Sequence, residues 1–115
     1  MARSNKPVVW ALFAGGGTLA AFVLPAIIFS LTLGAALGWI AVDALAYERV
    51  VAGLQAPLAK LVVFGVTVLI LWHAAHRLRI TAHDLGIYAD SLVMSIFYGL
   101  AALGTMMALV ALLGL

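Results

Sequence analysis

The charged residues of this chain leave three long stretches with none at all. No Lys, Arg, Asp or Glu lies between Lys6 and Asp43, between Lys60 and Arg77, or after Asp90. A membrane-crossing helix needs roughly 20 apolar residues. Each uncharged stretch therefore accommodates one helix, the middle one by taking in Ala56–Ala59. The expected spans are Trp10–Ile40, Pro57–His76 and Leu92–Leu113. The fold class that follows is an all-α membrane protein of three transmembrane helices, forming a single domain over 1–115.

Composition supports this reading. The chain is 67% hydrophobic and 9% charged, more apolar surface than a water-soluble domain of this length can hide. Its formal charge of +2 comes from six basic and four acidic residues, too few and too scattered for a nucleic-acid footprint. There is no cysteine, so disulfides and thiolate-held zinc or iron–sulfur clusters are excluded within the chain. A redox metal held here would have to use histidine or methionine.

The first uncharged stretch is long for one span and short for two, so it is expected to tilt, kink or protrude. Pro25 removes a helical hydrogen bond, which predicts a kink near Ala21–Pro25. Gly34 and Gly38, and separately Gly15–Gly17 with Ala20 and Ala21, form small faces suited to close helix packing in lipid. Arg3 and Lys6 ahead of an apolar run resemble a signal peptide, but the run far exceeds an h-region of about 7–15 residues. An uncleaved span is expected instead. With the N-terminus cytoplasmic, Arg3, Lys6, Arg77 and Arg79 lie inside and Arg49 and Lys60 outside, which the positive-inside rule favours. Leu115 then lies on the opposite side.

Two connections link the spans. Asp43-Ala44-Leu45-Ala46-Tyr47-Glu48-Arg49-Val50 is expected to form a short interfacial helix with Asp43 as its N-cap. The second connection is Arg79–Asp90, with Gly86 as a helix stop.

The polar chemistry concentrates in Trp72-His73-Ala74-Ala75-His76-Arg77-Leu78-Arg79-Ile80-Thr81-Ala82-His83-Asp84. On a helix, His73 and His76 share one side, and Ile80 and His83 extend it if the helix continues. Ionisable groups at a membrane boundary are costly and invite a functional explanation. Haem ligation is one reading, but one helix cannot place its own histidines on opposite faces of one haem, and spans one and three have none. A metal site at His-xx-His lacks a nearby carboxylate or cysteine. A quinone site suits the residues better. Its carbonyls accept hydrogen bonds, and its redox chemistry needs proton carriers, which histidine and arginine supply beside an aromatic wall. A positively charged helix end snorkelling to the headgroups also fits the cluster without any ligand.

Trp10 is either an interfacial anchor or part of the same site. The start of span one and the end of span two share a membrane face, so Trp10, His76 and Arg77 can converge. Trp39 and Trp72 read as anchors or packing residues, and Met106-Met107 as lipid-facing or core. Gly15-Gly16-Gly17-Thr18-Leu19-Ala20 fits G-x-G-x-x-A but has no preceding strand, so a dinucleotide site is discarded.

Several stretches together resemble a known family. They are Pro7-Val8-Val9-Trp10-Ala11-Leu12-Phe13-Ala14-Gly15-Gly16, Asp43-Ala44-Leu45-Ala46-Tyr47-Glu48-Arg49-Val50, and Leu71-Trp72 with His76-Arg77. Ala82-His83-Asp84-Leu85 and Phe97-Tyr98-Gly99-Leu100-Ala101-Ala102 complete the set. Their order and spacing are similar to the D subunit of the bacterial quinol:fumarate reductases, a small hydrophobic anchor.

The resemblance implies three membrane helices in the inner membrane, paired with a second membrane anchor, the C subunit. It implies a flavoprotein and an iron–sulfur subunit on the cytoplasmic face, a heterotetramer in all. Menaquinol would be oxidised near the iron–sulfur subunit, and its electrons would reach flavin and fumarate in anaerobic respiration. FAD and iron–sulfur clusters would belong to partner subunits only, and no haem is expected. The quinone-site tryptophan corresponds to Trp10, and the His-Arg pair to His76 and Arg77. Where the family carries further histidines this chain has Arg79 and Ile80, and His73 is extra. A haem-binding succinate dehydrogenase anchor, a purely structural anchor and a stand-alone channel or transporter are the competing readings.

Overall fold

The computed structural model describes residues 5–115. Arg3, one of the residues in the charge count that sets orientation, lies outside the described residues. The chain forms α1 (Lys6–Phe29), α2 (Tyr47–Leu54), α3 (Pro57–Asp84) and α4 (Asp90–Leu113). Helical backbone continues past α1 through a widened π-type turn at Ser30–Gly34. Among the described residues, three segments are long and apolar enough to cross a bilayer: Lys6–Gly34, Pro57–Asp84 and Asp90–Leu113. The chain is an all-α, multi-pass membrane protein.

Prolines open two of these helices. Pro7 lies in the first turn of α1 and Pro57 in that of α3, where a missing N–H leaves no bond unmade. Pro25 is carried inside α1. A departure from regular α-helical bonding falls at Ser30–Gly34, downstream of the proline.

Gly34 and Gly38 do not serve as an interhelical pair within the chain. Gly38 has φ +73°. Its N–H bonds the Ala35 carbonyl at 3.1 Å and the Trp39 N–H bonds the Gly34 carbonyl at 2.8 Å. These are the two bonds of a Schellman stop, which needs the left-handed conformation that glycine adopts at low cost. Gly86 ends α3 in the same way, with φ +83°. The Gly86 N–H reaches the His83 carbonyl and the Ile87 N–H the Ala82 carbonyl, both at 2.9 Å.

Asp43 is not a helix cap. It falls in a 3-10 turn, Val42–Leu45, and Ala46 precedes α2 without a side-chain cap. The Asp43 carboxylate instead pairs with Arg49 at 3.0 Å, with both side chains about two-thirds exposed.

The central element is α3, which packs against α1 on one side and α4 on the other. It runs to Asp84, eight residues past His76, so His83 and Asp84 belong to its last turn rather than to a loop. Its 28 residues measure about 42 Å at 1.5 Å per residue, longer than a hydrocarbon core of about 30 Å.

The helices meet through small residues. Ala75 and Ala82 of α3 and Val93 and Ala101 of α4 are buried. On α1, Gly16 is buried, and a methyl group there would strike the Leu69 carbonyl and the His73 Cβ. Among the described residues, most large apolar side chains remain exposed, from Val8 to Leu113. Such a surface requires lipid or protein against it.

Candidate functional site

A cavity of about 660 Å³ opens between the N-terminal half of α1 and the C-terminal half of α3, with Tyr98 of α4 contributing at its edge. That volume falls within the range of about 300–1,000 Å³ typical of ligand sites. Val9, Leu12, Val68 and Leu69 give it apolar walls, and Trp10, Phe13 and Trp72 give it aromatic ones. His73, His76 and Tyr98 supply its remaining polar atoms.

Glycine makes this arrangement possible. The His73 imidazole lies across Gly17 of α1, and an added Cβ there would stand 2.6 Å from His73 Cε1. With no side chain in the way, His73 Nδ1 reaches the Phe13 carbonyl at 2.9 Å. The same ring stacks on Phe13, centroids 4.4 Å apart and planes 23° apart. Phe13 also meets His76 edge-on at 4.8 Å and Trp10 at 5.6 Å. One phenyl ring thus ties together the two histidines and the tryptophan.

On the other side, His76 Nδ1 lies 2.8 Å from the Tyr98 hydroxyl. Tyr98 stacks against Trp72 with centroids 5.9 Å apart, and the Trp72 indole N–H donates to Thr105 Oγ1 at 3.2 Å. The Trp10 indole N–H has no partner among the described residues, and its side chain is 61% exposed. It remains available to a ligand as a donor on a flat apolar wall.

Of the residues singled out in the sequence, Trp10 and His76 line one cavity, on separate helices. Arg77 is exposed and is not among the residues lining it. Its carbonyl accepts a hydrogen bond from Thr81 Oγ1 at 2.9 Å. His73, on the same helix side as His76, lines the cavity as well, although neither the convergence with Trp10 nor the family resemblance singles it out. Tyr98, which also lines it, is not a site residue by sequence pattern either. A phenol within an apolar helix needs a hydrogen-bond partner when buried, and that is the available signal.

Arg79, His83 and Asp90 form a separate cluster where α3 ends and α4 begins. Arg79 grips Asp90 with two bonds, Nε to Oδ1 at 2.8 Å and Nη2 to Oδ2 at 2.7 Å. His83 Nε2 stands 3.0 Å from the same carboxylate. The bidentate fork is the stronger form of such a pair. The negative charge of Asp90 also sits in the first turn of α4, where the helix dipole favours it. Among the described residues, no group of three or more His, Asp or Glu is placed to hold a metal ion.

Comparison with known proteins agrees with the resemblance. The family model for the fumarate reductase D subunit matches residues 1–113. The fumarate reductase D subunit of Vibrio cholerae is 36% identical over 108 residues, covering 94% of this chain and 83% of that protein. The Mycobacterium tuberculosis protein of the same name is 38% identical over 105 residues, covering 90% and 82%. The Vibrio parahaemolyticus one is 34% identical over 108 residues, covering 94% and 86%. The chain therefore belongs to the fumarate reductase D-subunit family and is a membrane anchor of a multi-subunit fumarate reductase complex.

Proposed function

We propose that this anchor forms one wall of a menaquinol-oxidising site and helps tether the catalytic subunits to the inner membrane. Its partners in this reading are a second anchor (the C subunit), an iron–sulfur subunit and a flavoprotein. FAD and iron–sulfur clusters reside in those partners, and the anchor pair holds no haem. The N-terminus faces the cytoplasm and Leu115 the opposite side. The spans then carry the start of α1 and the end of α3 to the face where the soluble subunits dock.

The observation that carries the reading is the meeting of Trp10 and His76, from separate helices, on one aromatic-lined cavity. A quinol is a flat aromatic ring with two oxygens that donate and accept hydrogen bonds. When bound, it supplies two electrons and two protons. The indole and phenyl rings hold such a ring flat, and the Trp10 N–H offers a donor to one oxygen. His76 is held by the Tyr98 hydroxyl, which can donate or accept, so the imidazole orients a proton at Nε2 in either sense. The cavity mouth is open, and partner subunits complete it. Arg77, next to His76 but about 100° round the helix, joins the site where a partner closes over that exposed surface.

The test uses the assembled complex. Replacing His76 by Leu, or Arg77 by Leu, is expected to lower quinol oxidation at least tenfold while leaving dye-linked fumarate reduction unchanged. Normal quinol turnover in both assembled variants would remove His76 and Arg77 from the site.

A further inference from the structure

The two cavity histidines are held by different kinds of partner. His76 Nδ1 faces a hydroxyl, which accepts or donates. His73 Nδ1 faces the Phe13 backbone carbonyl at 2.9 Å, which only accepts. The His73 proton must therefore sit on Nδ1, and neutral His73 carries its lone pair on Nε2. That second nitrogen has no partner among the described residues, yet no buried side-chain nitrogen or oxygen among them lacks one. His73 Nε2 is thus accessible, on a ring that lines the cavity.

We infer that His73 is the proton acceptor of this site, taking a proton at Nε2 from the hydroxyl of a bound quinol. The inference rests on the cavity's being the quinol site. In the step, one quinol O–H bond breaks, its proton forms the Nε2–H bond, and one electron leaves to the iron–sulfur centre held by a partner protein. The second O–H then gives its electron to the same centre and its proton to water at the open cavity mouth, which completes the quinone. The carbonyl bond at Nδ1 survives, because imidazolium donates from both nitrogens. The Phe13 ring, stacked 4.4 Å away, holds the imidazole in place. The titratable side chains lining the cavity beside it are His76 on its own helix and Tyr98 on α4, and α1 contributes none.

The experiment replaces His73 by Asn in the assembled complex. The Asn amide can still donate to the Phe13 carbonyl but offers no basic nitrogen. Two quantities are read: binding of a short-chain naphthoquinone, by quenching of tryptophan fluorescence, and quinol oxidation across pH. The expected result is binding within about twofold of wild type, with turnover lower on the order of 100-fold, a size typical of a lost general base. The acid limb of the pH–rate profile should also flatten. Unchanged binding with unchanged turnover and pH profile overturns the role of His73. Failure of the wild-type complex to bind the naphthoquinone, or binding unaffected by Trp10→Ala, overturns the site itself. If His73→Asn does not assemble, redox-difference infrared spectra of the His76→Gln complex decide. An imidazole protonation band on quinol oxidation supports His73, and its absence overturns the assignment.

Discussion

Tyr98 matters because of a single oxygen atom. Its ring packs on Trp72, and its hydroxyl gives His76 Nδ1 a partner 2.8 Å away. Phenylalanine keeps the ring and removes the hydroxyl, leaving an imidazole nitrogen unpaired beside apolar walls. A typical hydrogen bond contributes about 1 kcal/mol, which corresponds to roughly a fivefold change in rate. Tyr98→Phe is therefore expected to slow quinol oxidation about fivefold in an assembled complex with normal dye-linked fumarate reduction. Steady-state kinetics with the two electron donors separates these effects.

At the scale of elements, the docking of α1 on α3 depends on Gly16 and Gly17. A side chain at Gly16 meets the backbone of Leu69, which cannot rotate aside as a side-chain tip would. Gly16→Val should part the two helices and open the cavity between them. Overpacking of this kind costs about 1–3 kcal/mol. It should appear as a lower melting temperature of the complex and weaker naphthoquinone binding, whereas Gly15→Ala, with nothing within 4 Å, should change neither.

Much of this level was legible in the sequence. Charge-free runs mark three helices because lipid excludes charge, and Gly86 marks the end of α3. The expected span stopped at His76, where the apolar run ends, while the helix itself runs on to the stop at Gly86. The contacts of Arg79 and His83 with Asp90 of the next helix were not legible. The Gly34/Gly38 spacing suits a packing seam as well as a helix stop, and only the backbone conformation separates the two. Trp10 and His76 could be paired from topology alone. His73 could not, since its partner is a backbone carbonyl 60 residues away that no side-chain pattern reveals.

The whole molecule is a thin bundle whose outer faces are largely apolar. Lipid covers part of that surface, and the proposed second anchor and soluble subunits cover the rest. Orientation follows from which ends lie in the cytoplasm. A reporter fused after Leu115 should show alkaline phosphatase activity and no green fluorescence, since the first folds only outside the cytoplasm and the second only within it. The opposite pattern would place the cavity on the wrong face for electron transfer to cytoplasmic subunits.

The central claim is that the cavity between α1 and α3 receives the quinol ring. Photolabelling the intact complex with an azido-naphthoquinone, followed by peptide mapping, tests it most directly. Adducts are expected in the α1 segment holding Trp10 and Phe13 and in the α3 segment from Val68 to His76, suppressed by excess quinone. Adducts confined to other segments or to other subunits would contradict it.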